Sequence, residues 1–185
     1  MLDIFNNLSV FFEDCYRKAN VREYAKLRGV SPPTASTLLK GFEKENLLKT
    51  LTERRNNLYW ANRENPLFVD LSKAYWRQKL KLLAQELAEQ FNFETIILFG
   101  SLIKGEATAS SDIDIYVNST EKRINLEKHE KALKRRIQLH FKKELANDYL
   151  RKNIQQGLLL NGMMMQDGLG RMQPQKAGKE SKSGS

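Results

Sequence analysis

The sequence has little cysteine and no long apolar run. Its 185 residues include one cysteine, Cys15, which excludes an internal disulfide and a zinc site built from several thiolates. We interpret Cys15, which lies among aromatic residues, as a buried structural thiol. No stretch approaches the roughly 20 apolar residues that cross a bilayer, and the N-terminus lacks the basic start and clean apolar segment of a signal peptide. These absences predict a cytoplasmic protein without a membrane partner.

Acidic residues are scarcer than basic ones. The chain has 31 Lys and Arg against 22 Asp and Glu, which gives a formal net charge of +9 and suggests polyanionic partners. Most of the excess lies after residue 118, whereas residues 1–70 are nearly balanced. Part of it falls in residues 163–185, which are rich in Gly, Ser, Lys and Gln and are predicted to form a disordered tail.

The first third of the chain predicts three helices followed by a hairpin. Apolar residues recur at spacings of three and four from Leu2 to Tyr16, which is typical of an amphipathic helix. Two shorter helices meet at Gly29, and the second has Ser31 as a good N-cap before Pro32. The stretch LLKTLTERRNNLYWAN then indicates two extended runs around a polar tip.

This order of elements resembles the winged helix-turn-helix domain of prokaryotic regulators over roughly residues 5–62. The resemblance implies that residues 32–45 form a recognition helix and that the hairpin forms a wing. The side chains then expected to contact double-stranded DNA are Thr34, Ser36, Thr37 and Lys40 on the helix, and Arg54 and Arg55 at the wing tip. Small helix-hairpin domains also serve as protein-docking modules, and the near-neutral charge of this region is weak for a DNA-binding domain.

A long helix is predicted between the two halves of the chain. Asn65 offers a cap before Pro66, and apolar residues at helical spacing extend from Leu67 to Phe91. At 1.5 Å per residue such a helix is about 35 Å long. It can connect two modules, and it can also pair with its copy in a homodimer.

Two aspartates interrupt an otherwise apolar strand in the segment FGSLIKGEATASSDIDIYV. Alternate side chains of a strand share a face, so Asp112 and Asp114 point one way while Ile113 and Ile115 point the other. Carboxylates about 7 Å apart along a strand repel unless a cation lies between them, and Mg²⁺ prefers such oxygen ligands together with substrate phosphates. The preceding Gly-Ser turn can present backbone amides and a hydroxyl to phosphate oxygens. Together these features predict a nucleoside triphosphate site.

The spacing of this motif is that of a known family. Gly100-Ser101, ten intervening residues and Asp112-x-Asp114 resemble the signature of the DNA polymerase β-like nucleotidyltransferases, and in particular their minimal branch. The resemblance covers roughly residues 92–160 and implies a small mixed sheet with flanking helices. Members of this branch are often antitoxin partners of a small helical toxin, and some adenylylate it, so a protein acceptor is one option that the resemblance implies.

The family motif also implies a role for each of its residues. Gly100 and Ser101 would hold the triphosphate, and Lys104 stands where the branch often has arginine, which keeps the charge but loses bidentate phosphate geometry. Asp112 and Asp114 would be the catalytic pair that binds Mg²⁺ or Mn²⁺ and activates transfer of a nucleoside monophosphate.

The third carboxylate of the family pattern is missing from the next predicted strand. The run IQLHF places Gln138 and His140 on the side expected to face the aspartates. Glutamine can orient a hydroxyl but cannot accept a proton, whereas a neutral histidine can act as a base or a ligand. Glu127, Glu130 and Glu144 are alternatives, although solvated helix faces explain them better.

Two functions therefore stay open. One is a DNA-binding protein with a Mg²⁺-dependent nucleotidyltransferase domain, and the other is a transcriptional regulator whose nucleotidyltransferase-like domain is catalytically weak or inactive and senses nucleotide or mediates assembly. The predicted fold class is α+β. Residues 1–64 are predicted to form the winged helix-turn-helix, 65–91 the connecting helix, 92–162 the minimal nucleotidyltransferase domain with a mixed sheet, and 163–185 the tail.

Overall fold

The computed structural model describes residues 3–53 and 56–163. Arg54, Arg55 and all of the predicted tail except Met163 lie outside the described residues. The first part of the chain contains three helices and one hairpin. These are α1 (Asp3–Glu13), α2 (Val21–Arg28), α3 (Pro32–Lys44), β1 (Leu48–Glu53) and β2 (Asn56–Ala61), with β1 and β2 antiparallel.

Local signals in the sequence set the ends of α2 and α3. Asn20 accepts a hydrogen bond from the Glu23 amide while the Glu23 carboxylate accepts one from the Asn20 amide, a capping box that starts α2. Gly29 ends that helix in the left-handed conformation, at φ 65°. Ser31 then caps α3 by accepting a hydrogen bond from the Thr34 amide at 3.3 Å.

The segment predicted as one long helix consists of two helices. They are α4 (Pro66–Lys79) and α5 (Lys81–Gln90), which meet at Leu80. The backbone of Leu80, at φ −91° and ψ 4°, leaves the helical region there, and its side chain is fully buried. The hydrogen bonds continue across the break, since the Leu80 amide donates to the Trp76 carbonyl and the Leu80 carbonyl accepts from Ala84. The helix break therefore lies at a buried leucine, and no proline or glycine marks it in the sequence.

The second part of the chain forms a four-stranded mixed sheet with the strand order β5-β4-β3-β6. Its elements are β3 (Ile96–Phe99), β4 (Ile113–Val117), α6 (Glu127–Leu133), β5 (Ile137–Phe141), α7 (Asp148–Gln155) and β6 (Leu158–Asn161). β3 runs antiparallel to both β4 and β6, whereas β4 and β5 are parallel and are joined across α6. This mixed sheet with helices confirms the α+β class predicted for the second half.

One hydrophobic core runs through both parts of the chain. It contains Phe12 of α1 and Trp76 of α4 together with Leu98 and Ile115 of the sheet, all fully buried. A smaller cluster of Ile97, Phe99, Tyr116 and Ile154 fills the space between the opposite face of the sheet and α7. Throughout the described ranges, the helices are too short or too polar to cross a membrane.

The segment after α1 is attached to the loop that precedes β4. The Cys15 amide donates to the Ala107 carbonyl at 2.7 Å, and the Cys15 side chain is 1% exposed. Burial raises the pKa of the Cys15 thiol to about 11, which makes it unreactive at neutral pH. Cys15 is thus buried, as the sequence predicted.

Candidate functional site

Pairing of β3 with β4 brings the Gly-Ser turn to the aspartates. Phe99, the last residue of β3, lies opposite Asp114, and Gly100 follows it directly. A Cβ atom on Gly100 would lie 2.5 Å from Asp114 Oδ2, closer than any non-bonded contact allows. The carboxylate thus occupies the space that a side chain at residue 100 would need, and two motif segments separated along the chain meet at one point.

Alternation along β4 separates a core face from a polar face. Ile113, Ile115 and Val117 are fully buried, whereas Asp112 and Asp114 are half-buried on the other face. Tyr116 shares that other face and packs in the cluster beneath α7. Helix α7 therefore covers the part of the polar face around Tyr116, and the two carboxylates remain partly exposed to solvent.

The parallel neighbour β5 completes the polar face. Asp114 lies opposite Gln138, and Tyr116 lies opposite His140. The Gln138 amide donates a hydrogen bond to Asp112 Oδ2. His140 Nε2 lies 3.6 Å from Asp114 Oδ1, beyond hydrogen-bond range but close enough for charge attraction. Each aspartate therefore has one partner on β5, and neither partner is a carboxylate.

His140 links Asp114 to Glu144, a residue expected from the sequence to lie on a solvated face. Its Nδ1 lies 2.9 Å from Glu144 Oε2, and Glu144 Oε1 accepts a hydrogen bond from the Phe141 amide. The His140 ring also packs edge-on against Phe99, with centroids 5.0 Å apart. The only sign of this contact in the sequence is the i,i+4 spacing of His140 and Glu144. That spacing brings the two side chains together because the chain forms the 3-10 helix Lys142–Ala146 directly after β5.

These contacts shift two pKa values in opposite directions. The Asp114 carboxylate raises the pKa of His140, burial of the ring opposes this, and Glu144 raises it further. For Glu144, burial alone would raise the pKa, but the Phe141 amide and His140 together lower it. The arrangement thus favours a charged carboxylate beside a histidine that holds its proton more strongly.

The remaining predicted nucleotide-binding residues begin at the same turn. Ser101 is half-buried and starts a 3-10 turn, Ser101–Ile103, and its carbonyl accepts hydrogen bonds from the amides of Lys104 and Glu106. Lys104 is exposed, and its Nζ donates to Asn153 Oδ1 of α7 at 2.7 Å. Ser101 thus directly follows the glycine that lies against Asp114, whereas the ammonium group of Lys104 is bound to α7.

The two helix glutamates have partners other than the aspartates. Glu127 pairs with Lys131 one turn along α6, and Glu130 accepts a hydrogen bond from the Ile137 amide. Glu127 is exposed, while Glu130 supports the start of β5.

Four of the six residues predicted to contact DNA lie on α3. Thr34, Thr37 and Lys40 are exposed and Ser36 is half-buried. The Thr37 hydroxyl donates to the Pro33 carbonyl at 3.2 Å. Arg54 and Arg55 lie outside the described residues, so the structure gives no position for the predicted wing tip.

The donor set at the aspartates suits a hard divalent cation. Asp114 on β4 and Asp112, which directly precedes that strand, offer carboxylate oxygens on the same face. Among the described residues, no group of three or more His, Cys, Asp and Glu side chains is arranged to hold a metal. Two carboxylates plus substrate phosphates nevertheless match the way in which proteins bind Mg²⁺.

Comparison with known proteins decides the family. The profile described as "Polymerase beta, Nucleotidyltransferase" matches residues 81–162. Two proteins of Methanocaldococcus jannaschii, each named "Putative protein adenylyltransferase", are similar to this chain. One is 35% identical over 81 residues, which is 40% of this chain and 81% of the relative. The other is 32% identical over 89 residues, which is 45% of this chain and 91% of the relative. The chain belongs to the polymerase beta nucleotidyltransferase family.

Membership in the polymerase beta nucleotidyltransferase family makes nucleotidyl transfer the activity class of this chain. The matched region begins at Lys81, the first residue of α5, and ends one residue beyond β6. It contains the Gly100 turn, both aspartates and the whole four-stranded sheet. Helices α1 to α4 and the hairpin lie outside the match. Nucleotidyltransferases of this superfamily typically use divalent metals, which agrees with the carboxylate pair on β4.

Gln138 offers a direct test of the missing third carboxylate of a nucleotidyltransferase. Gln138→Asp replaces a hydrogen-bond donor with a third carboxylate beside Asp112. We expect tighter Mg²⁺ binding, by about tenfold. Without metal the like charges should lower stability by about 1 kcal/mol, which corresponds to a melting temperature roughly 2–4 °C lower for a chain of this size. Thermal melting in EDTA and in a Mg²⁺ series measures both effects.

Gln138→Ala is the matched control, because it removes the amide without adding charge. Mg²⁺ should raise the melting temperature of this variant by no more than it raises that of the wild-type protein. Equal responses of the aspartate and alanine variants to Mg²⁺ would contradict the placement of the metal next to Gln138.

Proposed function

We propose that this chain transfers a nucleoside monophosphate from a nucleoside triphosphate to a hydroxyl group of a protein acceptor, with Mg²⁺ or Mn²⁺ as cofactor. The observation that supports the proposal is the close approach of the Gly100 turn to the Asp114 carboxylate, because a turn of this kind suits phosphate oxygens and a carboxylate suits a divalent cation. A protein acceptor is supported by the names of the two archaeal relatives. A toxin bound to this chain is one acceptor of that class.

Each motif residue has a task in this reaction. The backbone at Gly100 and the Ser101 hydroxyl would hold phosphate oxygens, and Lys104 would contribute positive charge after leaving Asn153. Asp112 and Asp114 would hold the divalent cation, which neutralises phosphate charge when bound. The acceptor oxygen forms a bond to the α-phosphorus, the bond from that phosphorus to the oxygen bridging to the β-phosphate breaks, and pyrophosphate and the hydroxyl proton leave.

His140 and Glu144 support the carboxylate that faces Gly100. His140 lies between Asp114 and Glu144, so it restricts the rotation of the Asp114 side chain and balances part of its charge. Gln138 has the corresponding place beside Asp112. The β5 side chains thus hold both aspartates in position.

Labelled nucleotide distinguishes this reaction from other uses of a triphosphate. The full-length protein is incubated with Mg²⁺, a lysate of the source organism and ATP labelled at either the α- or the γ-phosphate, and the other three triphosphates are tested in the same way. A protein band should carry the α label, no band should carry the γ label, and EDTA should remove the signal. Transfer of the γ label would replace the proposal with phosphoryl transfer, and no label on any protein would overturn the protein acceptor.

We also propose that residues 1–64 bind double-stranded DNA as a winged helix-turn-helix and that the chain acts in transcription regulation. The support is the exposed polar face of α3, with Thr34, Thr37 and Lys40, followed directly by a hairpin. These residue types contact phosphates and base edges. On this proposal the nucleotidyltransferase region is joined to a DNA-binding region through α4.

Lys40→Gln should weaken DNA binding about equally across sequences and lower the salt slope of the affinity by about one, because one phosphate contact is lost. Fluorescence anisotropy over a salt series, with duplexes selected from a random pool, measures this slope. The matched control is Lys152→Gln, an exposed lysine on α7. An equal loss in both variants would indicate attraction by net charge alone and would contradict the assignment of α3.

A further inference from the structure

A cavity of about 570 Å³ lies between the first two helices and the α6–β5 segment, apart from the aspartate site. Its walls come from α1 and the residues after it, the end of α2, Lys79 at the end of α4, Ala109 in the loop before β4, and residues 132–135. The volume is within the range of small-molecule sites, roughly 300–1,000 Å³.

Basic side chains dominate the walls of this cavity. Five basic residues and two acidic ones line it, namely Arg17, Arg28, Lys79, Lys134 and Arg135 against Glu13 and Asp14. Both carboxylates already have partners, since Glu13 pairs with Lys79 and also accepts from Tyr75, and Asp14 pairs with Arg17 at 3.6 Å. The other three cations, Arg28, Lys134 and Arg135, form no ion pair within the described residues, and the cavity keeps a net positive charge although Glu13 and Asp14 also attract Arg135.

Two of these three cations offer unused donors. Arg28 Nε is buried and has no hydrogen-bond partner in the part of the chain that the structure describes. Such a group costs free energy unless something fills its hydrogen bond. Lys134, at the end of α6, is exposed and forms no ion pair within residues 3–53 and 56–163.

The third cation connects the cavity to the segment before Asp112. Arg135 is 8% exposed, and its guanidinium donates to the carbonyls of Thr108 at 2.9 Å, Ser111 at 2.5 Å and Glu13 at 2.6 Å. These bonds use three of the five N–H groups of a guanidinium. A ligand that contacts Arg135 would therefore also contact the side chain that holds the residues leading to Asp112.

The cavity also has an apolar part. Val10, Leu27, Ala109, Ala132 and Leu133 line it together with the charged residues. Leu27 is 50% exposed, so its side chain is accessible to a ligand in the cavity. A ligand with an anionic end and an apolar body would match both kinds of wall.

We propose that this cavity is a second ligand site, which binds a small phosphorylated molecule of nucleotide size. A phosphate monoester carries close to two negative charges at neutral pH, so it balances the three cations better than a single carboxylate does. The guanidinium groups of Arg28 and Arg135 suit phosphate oxygens in shape as well as in charge. The site is built mostly from residues outside the matched family region, and Ala109 and Arg135 connect it to the segment before Asp112.

Calorimetry with sodium pyrophosphate in EDTA tests the site without any need for nucleotidyl transfer. The background protein carries Ser101→Ala and Lys104→Ala, so that the turn at Gly100 contributes little to binding. We expect this protein to bind pyrophosphate, and we expect the further pair Arg28→Gln and Lys134→Gln to weaken that binding by at least about tenfold. AMP should bind more tightly than inorganic phosphate, because the apolar wall contacts its base.

Lys26→Gln with Lys128→Gln is the matched control pair. It removes the same charge from the same two helices, at exposed positions that do not line the cavity. Binding should change by less than about twofold. Equal weakening by both pairs would show attraction by net charge and would overturn the proposal, as would the absence of pyrophosphate binding to the background protein at millimolar concentration. Circular dichroism spectra identical to that of the background protein confirm that each variant is folded.

Discussion

Asp114→Asn is expected to lower nucleotidyl transfer by at least about 100-fold while the protein stays folded. The asparagine keeps the size of the side chain, so it still fits against Gly100 and His140. It removes a full negative charge and one carboxylate oxygen from the proposed metal site, and loss of even an outer partner of a metal ligand typically costs 10- to 100-fold. Rates are measured from transfer of the α-phosphate label at saturating Mg²⁺.

The control for this substitution is Asp70→Asn. Asp70 is an exposed aspartate of α4 that pairs with Lys73, so its loss changes the net charge equally without touching the site. The rate should stay within about twofold of wild type, since exposed ion pairs contribute little. An Asp114→Asn protein that transfers label at the wild-type rate would remove Asp114 from the reaction.

Gly100→Ala is expected to abolish transfer and to destabilise the fold by about 3 kcal/mol. Two costs combine at this residue. The backbone, at φ 83° and ψ −155°, lies in a region that only glycine adopts readily. The new methyl group would also meet Asp114 Oδ2 at 2.5 Å, so the carboxylate would have to move. For a chain of this size the melting temperature should fall by roughly 6–12 °C.

Two other glycines separate these costs. Gly29 has φ 65° but nothing within 4 Å of the position that a Cβ atom would take, so Gly29→Ala should cost only the backbone strain, about 1 kcal/mol. Gly41 lies within α3 with open space around it, and Gly41→Ala should stabilise by about 0.5–1 kcal/mol. Neither should change transfer. If the Gly100→Ala protein were no less stable than the Gly29→Ala protein, the Asp114 carboxylate would be able to move aside without lowering the free energy of unfolding.

Local patterns in the sequence were enough for the parts of the site that lie within one segment. Alternation along residues 112–117 predicted which side chains share the polar face of β4, and the turn at Gly100 could be read from the residue type itself. The caps at Asn20 and Ser31 set helix starts in the same local way. Each of these features depends on residues a few positions apart, so the chain encodes it directly.

Contacts between distant segments followed from such patterns only in part. Alternation along residues 137–141 predicted that Gln138 and His140 face the aspartates, as they do. Which aspartate each one meets, and the link from His140 to Glu144, depend on the parallel register of β4 and β5 and on the turn after β5. The hydrogen bonds of Arg135 join residues 24 to 122 positions apart. The break at Leu80 lies at a side chain that is buried in a core shared by both parts of the chain, and no proline or glycine marks it in the sequence. Tertiary packing decides these features.

The attachment of α1 to the loop before β4 limits how this chain can be rearranged. The Glu13 carbonyl and the Cys15 amide are backbone groups, so side-chain substitutions other than Cys15→Pro leave both in place, but excision of the first helices removes both at once. A recombination event that exchanged the N-terminal region would leave the Arg135 guanidinium and the Ala107 carbonyl without these two partners. We therefore expect a chimera joined at Lys81 to fold only when the N-terminal region from the related protein supplies equivalent backbone contacts. The codons for the N-terminal region and for the nucleotidyltransferase region should then be inherited together.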